Sequence, residues 1–454
     1  MNSSFESLRQ DALTIFQAGI TAADPYQAVK EHLTFNANKL EIALDSNDPT
    51  KKRVGHWKNI HIIAFGKAAC KMAKAATEII PAQYWANTPL AITNYGNAAH
   101  LENIEVIAAS HPLPDSAGLK AAQRIAEQLK ESKADELVLV LISGGGSALI
   151  PYPAKGLTLQ DKQASTDLLL ASGASINQIN TVRKHLSQLK GGHLAKLASA
   201  ADLHALILSD VLGDDLGSIA SGPTVADNST FAEAIQILKN NNIWSKVPIS
   251  VQQLLDKGLK GEIDETPKAD NSCFKNASQT LIGSNSISLN AVQKTAESLN
   301  YETDIFSTNL SGEAKVVAEQ LALHCKQKQA NDLNKMTAII AGGETTVTLN
   351  GTGQGGRNQE MALAFAIAAE KHGLNGSWTF LSGGTDGRDG PTDAAGGIVD
   401  PGTLTRLKNK TINPEQKLSN NDSYSALKKS QDLVMTGATG TNVADLQVLL
   451  IQPE

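Results

Sequence analysis

A chain of 454 residues is long enough to bury two or three separate cores, and an aromatic content of only 4% favours close helix-on-sheet packing over a β-sandwich. A formal charge of −6 argues against nucleic acid or an anionic membrane as partner. Cys70, Cys273 and Cys325 are odd in number and lack CxxC spacing, so neither a disulfide framework nor a zinc knuckle is indicated. The N-terminus lacks a signal-peptide pattern, and no apolar run approaches the ~20 residues of a membrane helix, so a cytoplasmic protein is expected.

The first 45 residues read as one or two helices. From Ile60 onward, short apolar runs at 60–65, 90–93, 105–108, 137–142 and 205–209 predict buried strands, and residues 68–80, 116–131 and 182–198 carry helical spacing. This is the βαβ rhythm of a doubly wound parallel sheet. After Pro223 the pattern weakens, and the polar stretch 228–277 reads as a domain junction. Strands resume at 279–282, 302–306, 337–341, 345–349, 377–381 and 445–451. The expectation is an α/β protein of two domains, each a mainly parallel sheet flanked by helices, the N-terminal one Rossmann-like and doubly wound. It divides into a domain at 1–245, a connector at 246–277 and a domain at 278–454, with the active site in the cleft between them.

Open parallel sheets bind ligands beyond the carboxyl ends of their strands, so the residues there carry the functional argument. After the first strand, Gly66 turns the chain and places Lys67 near a helix start, where a cation opposes the helix dipole unless an anion is bound; a solvent-facing lysine is the alternative. After 137–142 come Ser143, Gly144, Gly145, Gly146 and Ser147. Their backbone N–H groups and hydroxyls suit an anion, although a tight turn also explains glycines. This loop is neither a Walker A motif nor a nucleophile elbow. Asp210, at the end of 205–209, can hold Mg²⁺ or accept a proton, whereas Asp214 and Asp215 read equally well as helix caps.

The run from Gly342 to Arg357 includes Glu344 and a GxGxxG match at 351–356 that ends on Gly355 and Gly356. The match is weak as a dinucleotide fingerprint, because no acidic residue ends a strand at the ribose distance. Arg357 offers a bidentate fork for phosphate or carboxylate. The glycine-rich loop 382–397 adds Asp386, Asp389 and Asp393, hard oxygen donors for Mg²⁺ or merely a solvated turn. Lysine, arginine, glycines and carboxylates at five strand ends converge on phosphoryl transfer, which needs positioning and charge neutralisation rather than a protein nucleophile. His111, between prolines, reads as a loop brace or a substrate contact. Arg183, Lys184, His185 and Lys190 form a basic run that is either functional or a solvated face.

Taken together, FGKAA at 65–69, SHPLPDSAG at 110–118, ISGGGSAL at 142–149, INTVRKHLSQLKGG at 179–192, SDVLGDDLGSIASGPT at 209–224, GGETTVTLNGTGQGGRNQE at 342–360, GTDGRDGPTDAAGG at 384–397 and TGTNVADL at 439–446 stand in family order. The chain resembles the glycerate 2-kinase (class II glycerate kinase, DUF4147/MOFRL) family. The resemblance implies transfer of the ATP γ-phosphate to the 2-hydroxyl of D-glycerate, giving 2-phosphoglycerate and ADP, with Mg²⁺. It places the essential lysine at Lys67, the active-site arginine at Arg357 and the phosphate loop at Ser143 to Ser147, with acidic positions at Asp210, Glu344, Asp386 and Asp393. The expected catalytic set is Lys67, Arg357, Asp386 and Asp210. Nucleotide contacts are expected from the phosphate loop, Glu344, Gly355 and Gly356, substrate contacts from Lys67, Arg357 and His111, and metal ligation from Asp210, Asp386 and Asp393. D-glycerate and ATP are the expected partners, with no nucleic acid or membrane, and a homodimer is compatible with the sequence. Ser116 and Gly397 depart from the common acidic residue and alanine without removing a charge the chemistry needs. The rival is an NAD(P)H-dependent hydroxypyruvate reductase, which requires a genuine dinucleotide fingerprint.

Overall fold

The computed structural model describes residues 3–45, 48–330 and 334–453, which form two compact units. One comprises Pro25–Ile282. Its six-stranded sheet has the spatial order Glu105–Ala109, Leu90–Asn94, Ile60–Phe65, Leu137–Ile142, Asp202–Leu208, Ala277–Gly283. The first five strands pair in parallel. Every residue of Ile60–Phe65 and Leu137–Ile142 is buried, as a strand covered on both faces requires. Alternate side chains explain the covering: Ile62 and Leu139 pack with Met72 and Ala76 of the helix Ala69–Ile79, while Ile63 and Val140 pack with Ile125 and Leu129 of Ser116–Lys130. Chain order reverses between Ile60–Phe65 and Leu137–Ile142, the crevice where a doubly wound sheet binds its ligand.

Residues 246–277 are not a connector. Helices Phe231–Asn240 and Ile249–Leu259 pack with Ile176–His185 around Phe231, Ile235, Leu238, Val182 and Leu255, a core of their own. The strand Ala277–Gly283 then closes the first sheet instead of opening the second. A three-stranded antiparallel sheet, Leu33–Asn36, Lys39–Ala43 and Lys52–Gly55, occupies a stretch read from sequence largely as helix.

The other unit joins Met1–Asp24 to Gly283–Glu454. The N-terminal helix Ser3–Ala22 therefore belongs with the C-terminal sheet, where Leu8, Ile15 and Phe16 pack with Val292, Leu381 and Val448. The sheet order is Glu302–Leu310, Thr337–Gly343, Asp445–Ile451, Trp378–Gly384, Gly396–Val399, Leu433–Val434. Only the first two are parallel neighbours. The last strand of the chain enters the middle, antiparallel to both its neighbours, so the sheet is mixed rather than mainly parallel. Helices Ala314–Ala330 and Arg357–Lys371 cover the face opposite Ser3–Ala22. The run 345–349, expected as a strand, contributes one bridge, between Thr346 and Glu313.

Candidate functional site

The strand ends of the unit Pro25–Ile282 bring together several of the residues singled out in the sequence. Gly66, at φ +123°, lies so close to the neighbouring loop that a Cβ there would stand 2.4 Å from the Ser143 carbonyl oxygen. Two hydrogen bonds fix this turn: the Lys67 N–H donates to the Gly144 carbonyl at 2.8 Å, and the Ala68 N–H to Ser143 Oγ at 3.0 Å. A Cβ on Gly144 would meet Asp210 Oδ2 at 2.1 Å, so the aspartate from the next strand end rests directly on the loop. Gly145, at φ +83°, lies against His111 and Lys67, with a would-be Cβ 3.0 Å from imidazole Cδ2 and 3.3 Å from Lys67 Cγ. Lys67, Ser143, Gly144, Gly145, His111 and Asp210 thus share one locality at the reversal point. Burial, with the nearby charge of Lys67, lowers the His111 pKa and keeps its imidazole neutral at physiological pH. Lys67 itself makes no side-chain hydrogen bond or ion pair among the described residues, which leaves its ammonium available to an anion.

Gly146 and Ser147 have different surroundings. Gly146 opens the short helix Gly146–Leu149, and a Cβ there would touch Phe65 at 2.9 Å. Ser147 Oγ lies 3.0 Å from Ser221 Oγ and accepts from Lys190 Nζ at 2.8 Å. Asp215 accepts from the Gly217 N–H and the Ser218 hydroxyl and so closes a turn, while the next helical turn, Ile219–Ser221, has Ser218 rather than an aspartate at its N-cap.

The second unit assembles its own charged group. Arg357, first residue of its helix, donates from Nε and Nη2 to Asp445 at 2.5 and 2.9 Å, and pairs through Nη1 with Glu344 at 2.9 Å. Asp445 is wholly buried. Its register opposite Gly343 and Gly384 carries it to the carboxyl ends of two strands at once. A Cβ on Gly384 would lie 3.2 Å from Asp386 Oδ1 and 3.5 Å from Asp445 Oδ1, so Asp386 borders the same group. Burial works against the Arg357 charge, but the hydrogen bonds and charge of Asp445, with Glu344, carry its pKa above the ordinary value. The fork expected to be open to substrate is therefore closed on Asp445, a residue within the quoted 439–446 motif to which sequence reasoning gave no role.

Other expectations meet different surroundings. A Cβ on Gly355 would lie 2.1 Å from Ser423 Oγ, and one on Gly356 would lie 2.2 Å from Asp389 Oδ1. Gly351 and Gly353 press equally closely on Asn420 and Asp422, at 2.3 and 2.4 Å. These glycines make room for the protein's own chain, which removes the physical reason to read 351–356 as a dinucleotide loop. Asp389 accepts from the Asn358 and Gln359 N–H groups and so caps the helix Arg357–Lys371. Burial pushes its pKa up to about 7 while those N–H groups pull the other way. Asp393 is exposed and accepts from the Tyr424 hydroxyl at 2.7 Å. Among the described residues no three His, Cys, Asp or Glu side chains are grouped to hold a metal, so Asp210, Asp386 and Asp393 are not a preassembled ligand set. A Mg²⁺ ion that keeps its waters and takes phosphate oxygens needs only one or two carboxylates, and the half-buried Asp210 and Asp386 each fit that requirement.

Residues 11–256 match a domain of unknown function, DUF4147, and residues 337–445 match the MOFRL family. The chain is 40% identical over 452 residues to the glycerate 2-kinase of Pyrococcus horikoshii, covering 98% of this chain and 97% of that protein. It is 41% identical over 449 residues to the D-glycerate 2-kinase of Thermotoga maritima, covering 98% and 99%. An Agrobacterium vitis protein named provisionally as a hydroxypyruvate reductase is 40% identical over 453 residues, covering 98% and 95%. A crystal structure of a Thermotoga maritima glycerate kinase superposes with a TM-score of 0.86 at 40% identity, covering 98% of this chain and all of that one.

Proposed function

The chain belongs to the glycerate 2-kinase family, and from that premise we propose that it transfers the γ-phosphoryl group of ATP to the 2-hydroxyl of D-glycerate, giving 2-phosphoglycerate and ADP. The observation that carries this reading is the cluster of Lys67, the glycine loop, His111 and Asp210 at the reversal point of the parallel sheet. Phosphoryl transfer is catalysed chiefly by positioning and electrostatic neutralisation, and these are the groups it uses. Lys67, without an acidic partner among the described residues, neutralises charge on the phosphoryl group in flight. The loop N–H groups hold the phosphate oxygens. Asp210, resting on Gly144, orients the acceptor hydroxyl and takes its proton as the new O–P bond forms. The bond from phosphorus to the β-phosphate oxygen breaks, and ADP leaves with the electron pair. Arg357 keeps two N–H bonds beyond those on Asp445 and Glu344, which an anionic group can use. Asp386, which borders the Arg357–Asp445 group, is the carboxylate we assign to a Mg²⁺ ion, which when bound would add positive charge there.

The reductase name carried by two relatives finds no support in residues 351–356, whose glycines are filled by the chain's own packing. No described helix is long and apolar enough to cross a membrane. The test couples D-glycerate, Mg²⁺ and ATP to enolase without phosphoglycerate mutase, so that only 2-phosphoglycerate gives signal. Signal is expected, and Lys67→Ala should lower it by orders of magnitude. Signal only after mutase is added would mean 3-phosphorylation and overturn the assigned regiochemistry.

A further inference from the structure

Beside the glycine loop lies a cavity of about 330 Å³, bordered by Gly145, Ser147 and His111. Its charged wall is Lys162, Arg183 and Lys190. Lys162 is 7% exposed and donates to the Leu186 carbonyl; Lys190 is 2% exposed and donates to the carbonyl and hydroxyl of Ser147. Among the described residues none of the three has an acidic partner, and Asp167, which also borders the cavity, pairs with none of them. Lys184 in the same run is instead paired with Asp227 at 3.2 Å, and His185 lies 3.1 Å from Glu265. Lys162 and Lys190 are buried and Arg183 is partly buried; burying cations without a counter-charge is costly, so these three around one cavity are an unmet demand for an anion. At the rim, Leu113 and Leu170 are 58% and 55% exposed, with Pro114 and Pro151 beside them. An apolar rim over a cationic wall suits a ligand with a flat apolar end and a polyanionic end.

We propose that this cavity seats a nucleoside di- or triphosphate, its base against Leu113 and Leu170 and its phosphates toward Lys190, Arg183 and the loop at Gly145. The proposal rests on the kinase reading for the choice of a nucleotide. The volume lies at the lower end of the roughly 300–1,000 Å³ of pockets for ligands of that size, and is far more than a three-carbon acid fills. Contact of Gly145 with Lys67 gives the phosphate chain a continuous path to the lysine assigned to the transfer. Burial, with the charges of the other cations, lowers the pKa of both Lys162 and Lys190, as expected of a site that becomes fully charged only when its anion arrives.

Calorimetric titration of the full-length protein with ADP, and steady-state KM values for ATP and D-glycerate, test this with Leu170→Asp and Lys190→Met. Leu170 is at the surface, so its variant reports on the cavity even if Lys190→Met fails to fold. Leu170→Asp should weaken ADP binding by about tenfold or more and raise KM for ATP alike, with KM for D-glycerate unchanged. Unaltered ADP affinity in Leu170→Asp, no ADP binding by the unsubstituted protein, or a rise confined to the KM of the acid would each overturn the proposal. Weakened ADP binding in a protein that never phosphorylates D-glycerate would uphold the cavity and refute the glycerate reading instead.

Discussion

Arg357 commits its Nε edge to a carboxylate that has no water to fall back on, since Asp445 is wholly buried. Removing the cation should therefore strand a charge. Breaking such a pair typically costs 3–5 kcal/mol, and because Arg357 is about one-third exposed we expect the lower end, about 3 kcal/mol, for Arg357→Met in guanidinium unfolding. Adding Asp445→Asn should restore a good part of that stability without restoring turnover. Equal instability of the single and double variants would show that the arginine acts through packing. Lys162 makes a different demand. Arg183 and Lys190 face it from neighbouring segments, Asp167 and His111 share its cavity, and burial lowers its pKa from 10.5 to about 7. Between those values the unfolded chain binds a proton that the native chain has released, so this lysine adds stability to the free protein as pH rises. A bound polyphosphate favours the protonated lysine. Its terminal phosphate is already ionised above about pH 6, so the ADP-induced rise in Tm should shrink between about pH 7 and 9, less steeply in Lys162→Met. A constant increment would separate Lys162 from the anion.

The helix Ser3–Ala22 shows what an element owes to its destination. Its apolar stripe of Leu8, Ala12, Ile15 and Phe16 is legible in the sequence, but a stripe carries no address, and the sheet it covers is built of strands that begin only at Glu302. Phe16 is 1% exposed and packs so tightly on Gly383 that a Cβ there would lie 2.6 Å from its ring. Phe16→Ala should cost about 3–5 kcal/mol. Hydrogen exchange should then rise in Asp445–Ile451 and stay unchanged in Leu137–Ile142, because cooperative units open separately. Loss of protection in Leu137–Ile142 instead would contradict the assignment of this helix to the C-terminal unit. The strands Ile60–Phe65 and Leu137–Ile142 were legible because continuous apolar runs of that length have few other solutions. Residues 228–277 were not, since their helices are short and set among polar, Gly- and Pro-containing segments, although Phe231, Ala234, Ile235 and Leu238 do keep helical spacing.

Across the whole molecule, the reach of sequence reasoning follows the topology. In the parallel sheet Lys67, Ser143 and Asp210 each follow a strand, so the strand-end rule singled them out from their neighbours alone. In the mixed sheet Asp445 reaches the same kind of position from the beginning of an antiparallel strand, where that rule does not look. The GxGxxG match fails for a related reason. A glycine is required wherever backbone meets a close neighbour, and sequence does not say whether the neighbour is a pyrophosphate or the chain itself. Gly353 distinguishes the two. With a would-be Cβ 2.4 Å from Asp422 Cβ, Gly353→Ala should destabilise the protein by about 1–3 kcal/mol through overpacking, measured by urea unfolding. Neither the substituted nor the unsubstituted chain should oxidise NADH in the presence of hydroxypyruvate. A dinucleotide loop would behave the opposite way: stability would hold, NADH would be consumed, and the alanine would raise its KM. That outcome would return the chain to the reductase reading, because a glycine kept open for a cofactor has no reason to matter when the cofactor is absent.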